Sequence, residues 1–504
     1  MANNLPTLTA HKTLVLNSAL LSRLLIFTLI IIFRLLVSPY DTSAPLNPDC
    51  LTRSNTEPGN DSSHPPLLWP RLSSAIENGI VWDSVYFVRI AQCGYEYEQS
   101  YAFLPLLPIC IYFVSHTVFA PLVPFIGERA VLAVSGYLIN NVTFVFAALY
   151  FYKLSTTILK DPEASLLASI LFCFNPASIF YSSIYTESLY AFLSFGGLYH
   201  LISGGNSMSV IFLALSGSAR SNGVLNAGYF CYQTMHRAYD ALFQKRQAHL
   251  ALLAVISGAF RCACIFAPFI AYQAYGYHNM CVGRSHDELR PWCKARVPLL
   301  YKYIQSHYWG VGFLRYFQLK QLPNFLLASP VLSLAFCSIY YYAKSRPQNF
   351  FLLGFQISKE EKNCGVVFLS DATSRSNVAS TLETSSVKVE ATENLNLRRR
   401  RNTLQRDNAD IHIESEQAAQ PGYLSASVLP FVLHMGFMAG TAFLVMHVQV
   451  ATRFLSANPP LYWFASYMMT WHAKNSMWRR IIWAYSAAYI FLGCLLFSNF
   501  YPFT

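Results

Sequence analysis

Residues Val81 to Pro108 read VWDSVYFVRIAQCGYEYEQSYAFLPLLP, an aromatic, acid-bearing segment that runs directly into an apolar one. Four side chains recur at spacings that place them on one helical face: Trp82, Phe87, Ile90 and Ala91. This pattern predicts an amphipathic helix over 82–93 that lies at a membrane interface. Asp83 falls at the start of that helix and is the first candidate for chemistry.

Asp83 has two interpretations. As a helix cap it would satisfy free backbone N–H groups of the first turn. As a carboxylate beside Trp82, near an apolar surface, it would be partly desolvated and therefore a better general base. Glu98 is a further acid on the polar part of the stretch, and we interpret it as a structural or substrate-binding carboxylate.

The composition is that of an integral membrane protein. Of the 504 residues, 54% are hydrophobic and 12% charged, whereas a soluble protein carries about a quarter charged residues. At about 20 residues per span, the apolar runs predict roughly ten or eleven transmembrane helices. The net charge of +11 lies mainly in short loops, which indicates membrane orientation rather than a nucleic-acid partner. The predicted fold class is an all-α polytopic membrane protein.

The first predicted span covers about Ser18 to Val37. The others are predicted near 102–125, 130–152, 164–181, 184–202, 208–232, 249–272, 323–344, 424–448, 460–473 and 481–501.

The polar segments between the spans predict the sidedness. Loop 39–100 carries the sequon Asn60-Asp61-Ser62, so it is lumenal and open to glycosylation if the N-terminus is cytosolic. Loop 273–322 is predicted to be lumenal as well. Residues 356–421, rich in Ser, Thr, Glu, Asn and Gln, predict a disordered cytosolic insertion.

These boundaries divide the chain into a catalytic membrane region over 1–355, the insertion, and C-terminal helices over 422–504. One conflict arises within the first region. Lys153 and Lys160 favour a cytosolic 153–163, whereas counting helices from the N-terminus makes that loop lumenal. We therefore expect a re-entrant or broken segment between 164 and 232, where irregular backbone must be buried or line a cavity.

Charged residues within apolar runs are the next candidates. Asn175-Pro176 would break a helix and leave backbone groups to a cavity or to water. Glu187 interrupts a strongly apolar region, and either binds a ligand or pairs with a neighbouring helix. Arg220, which shares the string ARSNG with Asn222, offers a fork of donors for a phosphate or neutralises Glu187.

Two further segments carry cations. Arg315 and Lys320 accompany an aromatic stretch that is either an interfacial belt or a stacking floor for a sugar beside a phosphate. Arg453 is the single cation of 449–464, and it either anchors a span or stabilises a phosphate leaving group.

The cysteines predict one structural feature. Cys281 and Cys293, twelve positions apart in a lumenal loop, are candidates for a disulfide. No CxxC pair or His/Cys cluster indicates zinc.

Five blocks, in order, resemble the signature blocks of the PIG-V type GPI mannosyltransferase family, over about 80 to 464. They are WDSVYFVRIAQCGYEYEQSYAFLPLLP, FNPASIFYSSIYTESLYA, ARSNG, PLLYKYIQSHYWGVGFLRYFQLKQLPNFLLASP and QVATRFLSANPPLYWF. Arg89 has no counterpart in that pattern and receives no role, and the insertion over 356–421 is longer than the family leads us to expect.

The resemblance implies a multi-pass endoplasmic reticulum enzyme of the GT-C class. Such enzymes transfer the second mannose, in α1,6 linkage, from dolichyl-phosphate mannose to the glycosylphosphatidylinositol precursor on the lumenal face, and generally need no metal. Asp83 becomes the leading base. The substrate-binding candidates are Trp82, Glu98, Glu187, Arg220, Asn222, Arg315, Lys320 and Arg453. The sequence leaves open whether a small membrane subunit is also required.

The alternative is a non-catalytic polytopic protein, either a transporter or a subunit of the machinery that attaches these anchors. Transporters commonly show internal repeats with paired broken helices, and the sequence shows no clear repeat.

Overall fold

The computed structural model describes residues 5–41, 49–51, 67–285, 287, 289–357, 422–471 and 476–503. All regular secondary structure in these ranges is helical, which confirms the all-α prediction. The sequon at Asn60 and nearly all of the predicted insertion over 356–421 lie outside the described residues.

The α-helices are numbered here in chain order. They are α1 (Leu5–Leu36), α2 (Pro70–Glu77), α3 (Asp83–Cys93), α4 (Leu106–Thr117), α5 (Val123–Ile126), α6 (Glu128–Leu159), α7 (Pro162–Cys173), α8 (Ser178–Ser182), α9 (Glu187–Ile202), α10 (Asn206–Ala219), α11 (Ala227–Tyr239), α12 (Ala248–Cys281), α13 (Leu300–His307), α14 (Leu322–Ser345), α15 (Pro347–Phe351), α16 (Leu429–Leu444), α17 (Ala451–Leu455), α18 (Pro459–Trp471) and α19 (Ser476–Leu492).

Six helical stretches of the described chain are long and apolar enough to cross a membrane. They are Thr9–Leu36, Glu128–Leu159, Ala248–Cys281, Leu319–Ser345, Ala426–Leu444 and Met477–Phe497. Helices α7, α9, α10, α11 and α18 are shorter, with 12 to 16 residues each. The chain is therefore a multi-pass membrane protein in which full-length spans are combined with shorter helices.

The bundle has two distinguishable ends. One carries the disulfides Cys50–Cys93 and Cys281–Cys293, and we call it the disulfide-bearing end. At the opposite end the N-terminal part of α1 meets the first turn of α7, where His11 Nε2 lies 3.4 Å from Glu163 Oε1.

The segment 106–126 does not cross the bundle as the sequence predicted. Helix α4 and the helical stretch Ala120–Ile126 are bent by 68°, so the segment is not one straight span. The backbone N–H of Trp69, just before α2, donates to the carbonyl of Phe125 at 2.8 Å. Both ends of the bent pair therefore lie at the disulfide-bearing end, and α6 is the helix that carries the chain across.

The predicted span 208–232 is also wrong, because it is a hairpin of two short helices, α10 and α11. A 3₁₀ turn over Ser221–Asn226 reverses the chain. At Gly223 a Cβ atom would lie 2.2 Å from the carbonyl oxygen of Ser216, so the close return requires glycine. Lys160 lies three positions before Glu163, which contacts His11, so Lys153 and Lys160 lie at the same end as His11 and the conflict disappears.

The expected break at Asn175-Pro176 is present, but its backbone groups do not depend on a cavity or water. The Asn175 amide donates to the carbonyl of Phe172 at 2.8 Å and accepts from the N–H of Ala177 at 2.9 Å. Arg23 of α1 donates to the carbonyls of Ser178 at 3.1 Å and Cys173 at 3.3 Å. Protein side chains thus satisfy the break, as a buried interruption requires.

Replacement of Arg23 is expected to destabilise the protein. Arg23→Leu removes the donors to two buried carbonyls, each worth roughly 1–3 kcal/mol when left unpaired, so the melting temperature in detergent should fall by several degrees. Arg34→Leu is the control, since Arg34 makes one such contact, to Ser498, and should lower it less. Equal melting temperatures for the Arg23→Leu variant and the parent protein would contradict this account.

Candidate active site

A cavity of about 210 Å³ opens among α3, α9, α10, α13 and α17. Its polar lining consists of Asp83, Tyr185, Thr186, Glu187, Arg220, Ser221, Asn222, Tyr301, Gln305, His447 and Arg453. The short helices explain why the cavity exists: α9 begins at Glu187 and α10 ends just before Arg220. Because the two helices end at this level, the charged side chains of Glu187 and Arg220 line the cavity.

Asp83 is directed into this cavity. Helix α3 has no side-chain capping hydrogen bond, so the capping interpretation is not supported. The Asp83 carboxylate accepts a hydrogen bond from Arg453 Nη1 at 3.1 Å. The backbone N–H of Asp83 donates to Tyr185 Oη at 3.1 Å, which fixes the start of α3 against the segment before α9.

Glu187 and Arg220 form the second ion pair of the cavity. Arg220 Nη1 donates to Glu187 Oε1, and Arg453 Nε lies 3.9 Å from the same oxygen. The Glu187 side chain is only 3% exposed, and a buried carboxylate of this kind requires a compensating charge. Of the two roles predicted for Arg220, the structure shows the pairing with Glu187.

The cavity contains the predicted residues Asp83, Glu187, Arg220, Asn222 and Arg453. Four other candidates do not line it: Trp82, Glu98, Arg315 and Lys320. Trp82 precedes α3 with a φ of +53° and lies against Phe500, with 5.4 Å between ring centroids; it is therefore not on the predicted helical face. Arg315 and Lys320 are exposed, and Arg315 donates to Ser306.

Glu98 has a structural position. Its carboxylate accepts hydrogen bonds from Trp292 Nε1 and Tyr308 Oη, both at 2.7 Å. Burial and the adjacent Glu98 carboxylate raise the pKa of Tyr308 to about 12, so the phenol stays protonated and donates. Glu98 thus ties residues 98–102 to the loop after α12, which the Cys281–Cys293 disulfide also constrains.

Sequence reasoning missed a second constraint at this end. Cys50 is disulfide-bonded to Cys93 at the end of α3. Arg89, which received no role, donates to Glu96 Oε2 at 2.7 Å and to the carbonyl of Asp49 at 3.1 Å. Cys50, Cys93 and Glu96 are the group of metal-type ligands that the described residues bring together. Because the two sulfur atoms are bonded to each other and Glu96 is paired, this group does not fit a metal.

The aromatic and uncharged residues that line the cavity had only weak signals in the sequence. Tyr301 Oη and Ser221 Oγ share a hydrogen bond of 2.7 Å. His447 Nε2 lies 2.7 Å from the carbonyl of Trp309, which joins the loop after α13 to the segment before α17. Tyr185 and Tyr301 are single tyrosines in aromatic-rich surroundings, so no local pattern distinguishes them from packing residues.

The fold and the cavity define a multi-pass helical membrane protein with paired carboxylates and guanidinium groups in a site at one end of the bundle. Residues 11–504 match the family described as Mannosyltransferase (PIG-V). The chain belongs to this family and is a glycosyltransferase, so the transporter and attachment-subunit alternatives are not favoured.

Named relatives agree with this assignment. The chain is 29% identical over 436 residues to GPI alpha-1,6-mannosyltransferase 2 of Rattus norvegicus, covering 81% of this chain and 78% of the relative. It is 30% identical over 412 residues to the Homo sapiens protein of the same name, covering 77% and 72%. GPI mannosyltransferase 2 of Drosophila melanogaster is 28% identical over 455 residues, covering 84% and 86%. No solved structure matches the chain.

The position of Glu98 predicts a stability defect rather than a substrate-binding defect. In Glu98→Gln the amide NH2 replaces one carboxylate oxygen and faces the N–H of Trp292 or the O–H of Tyr308, which are both donors. One buried donor is then left unpaired, at a cost of roughly 1–3 kcal/mol. We expect a melting temperature lower by several degrees and an unchanged acceptor KM. Arg290→Gln is the control, because Arg290 is 56% exposed and an exposed pair contributes little. An unchanged melting temperature with a raised acceptor KM would instead place Glu98 in acceptor binding.

Proposed function

We propose that this protein is an α1,6-mannosyltransferase that adds the second mannose to the glycosylphosphatidylinositol precursor, using dolichyl-phosphate mannose as donor. The observation that carries the proposal is the contact between the Asp83 carboxylate and the Arg453 guanidinium in one cavity. A proton acceptor beside a fixed cation is what transfer of a sugar from a phosphate requires. The names of the rat and human relatives supply the linkage and the acceptor class, and the name of the fly relative supplies the acceptor class alone.

The proposed site is the lumenal face of the endoplasmic reticulum. Disulfides form in oxidising compartments such as the lumen of this organelle. Because Cys50–Cys93 and Cys281–Cys293 lie at the same end as the cavity, that end is assigned to the lumen. The opposite end, where His11 and Lys160 lie, then faces the cytosol, in agreement with the positive-inside rule.

The proposed reaction is a single inverting displacement. Asp83 accepts the proton of the 6-hydroxyl of the first mannose, and that oxygen attacks the anomeric carbon of the β-linked donor. The bond between the anomeric carbon and the phosphate oxygen breaks, and dolichyl phosphate leaves with the electron pair. Phosphate is already a good leaving group, so the mechanism calls for neither a general acid nor a metal.

Arg453 is assigned to the leaving phosphate. In an inverting displacement the nucleophile and the leaving group lie on opposite faces of the anomeric carbon. Asp83 and Arg453 are in contact at 3.1 Å, so the donor sugar must separate them. The phosphate then replaces Asp83 as the partner of Arg453, and donor binding releases the carboxylate for the acceptor hydroxyl.

Replacement of Asp83 tests the base. Asp83→Asn keeps the size of the side chain and an acceptor for Arg453, but it removes the proton acceptor. We expect kcat to fall roughly a hundred- to ten-thousandfold, with the melting temperature preserved. Surface GPI-anchored proteins in cells that lack their own enzyme should not be restored. Glu163→Gln, an exposed carboxylate at the opposite end, is the control and should restore them. Full restoration by Asp83→Asn would exclude it as the base.

Replacement of the cations tests the phosphate site. Arg453→Met is expected to raise the donor KM at least roughly tenfold, because a charge-assisted contact to the phosphate is lost. Arg315→Met and Lys320→Met should leave it unchanged, since both residues are exposed and outside the cavity. The donor KM, measured with microsomes from each variant, shows which cation binds the phosphate. A raised KM in the loop variants, with a normal KM in Arg453→Met, would move the phosphate site to the loop.

A further inference from the structure

Three polar atoms without a partner belong to residues that line the cavity. Within the described part of the chain, Glu187 Oε2, Asn222 Nδ2 and Arg453 Nε have no hydrogen-bond partner. Glu187 is 2% exposed and Asn222 is 7% exposed, so neither side chain is well solvated. A buried polar group left unpaired costs free energy, and here all three atoms belong to residues that line the cavity.

The chemistry of the two buried atoms identifies the kind of group that would pair with them. Glu187 Oε2 is an acceptor and Asn222 Nδ2 is a donor. A hydroxyl group can donate to the first and accept from the second at the same time. The phosphate of the proposed donor is a diester, so it has no proton to donate at neutral pH, and it would be repelled by the Glu187 carboxylate. Glu187 and Asn222 are therefore suited to a sugar hydroxyl rather than to the anion.

The position of Glu187 indicates which hydroxyl of the sugar would bind. Glu187 Oε1 lies 3.9 Å from Arg453 Nε, next to the side chain assigned to the donor phosphate. In a glycosyl phosphate the 2-hydroxyl sits on the carbon adjacent to the anomeric carbon, so it is the ring hydroxyl nearest the phosphate. Mannose and glucose differ only in the configuration at that carbon.

We propose that Glu187 and Asn222 bind the 2-hydroxyl of the donor mannose and thereby select mannosyl over glucosyl donors. This inference rests on the proposed function. Glu187 then has two tasks, because its Oε1 holds Arg220 and its Oε2 accepts from the hydroxyl. Hydrogen bonds to a 2-hydroxyl strengthen as the ring becomes oxocarbenium-like, so the contact contributes to kcat as well as to specificity. Sites built to bind a hydroxyl discriminate strongly against analogues that lack it.

The experiment compares two donors in each enzyme variant: dolichyl-phosphate mannose and its 2-deoxy analogue. The measured quantity is the ratio of kcat/KM for the two. In Asn222→Ala the ratio should fall roughly three- to tenfold, because one neutral hydrogen bond is lost. In Glu187→Gln it should fall roughly ten- to a hundredfold, because the lost contact involved a charged group. The greater intrinsic reactivity of a 2-deoxy donor is common to all variants and cancels.

The matched control is Asn226→Ala, four positions further along the same segment. Its amide donates to Ser194 Oγ and Ser216 Oγ, both at 3.1 Å, so it serves packing only. This variant should slow both donors equally and leave the ratio unchanged. Dolichyl-phosphate glucose is the second comparison, and Asn222→Ala should narrow the preference for mannose over glucose.

The outcomes separate the inference from the proposed function. Equal slowing of both donors by Asn222→Ala would overturn the inference and assign that residue a structural role. If Glu187→Gln fails to fold because Arg220 loses its charged partner, Asn222→Ala alone decides. A parent enzyme that transfers no mannose from dolichyl-phosphate mannose would instead overturn the proposed function, before any variant is compared.

Discussion

The contact between Asp83 and Arg453 joins parts of the chain that are 370 positions apart, and the rest of the site depends on it. Asp83 begins α3, whereas Arg453 lies on the short helix α17. Arg453 also approaches Glu187 at the start of α9, and Glu187 holds Arg220 after α10. Four elements from distant parts of the sequence are thus connected by one alternating set of charges. Because each buried charge has an opposite neighbour, the set can be retained in a membrane protein interior.

The structure around this set keeps its members in place. Tyr185 accepts the N–H of Asp83, and the Cys50–Cys93 disulfide with the Arg89–Glu96 pair fixes the other end of α3. On the far side of the cavity, Glu98 accepts from Tyr308, the neighbour of Trp309, and the Cys281–Cys293 disulfide constrains the loop after α12. Preorganised charges cost little reorganisation when the reaction begins. The disulfide-bearing end is therefore rigid around the cavity. Within it, the proposed donor must separate Asp83 from Arg453 when it binds.

The sequence was informative where a local signal exists. Low charge and long apolar runs predicted the helical membrane protein, and ionisable residues inside apolar runs, such as Glu187 and Arg220, are costly enough to attract attention. It failed where the answer depends on tertiary contacts. Nothing local shows that 106–126 turns back or that Gly223 allows a hairpin. Nor does composition reveal that Arg315 and Lys320 are exposed while Arg453 meets Asp83, because all three lie in similar aromatic surroundings. Spacing likewise favoured Cys281 and Cys293 and gave no hint of Cys50–Cys93.

The central claim is that the donor phosphate and the base meet in the cavity between Asp83 and Arg453. A structure of the protein with a non-transferable analogue of dolichyl-phosphate mannose measures this most directly. We expect the phosphate within hydrogen-bond distance of Arg453 and the anomeric carbon between that phosphate and the Asp83 carboxylate. We also expect the Asp83–Arg453 distance to exceed the 3.1 Å of the unliganded contact. A phosphate held by Arg315 or Lys320, with the Asp83–Arg453 contact intact, would contradict it.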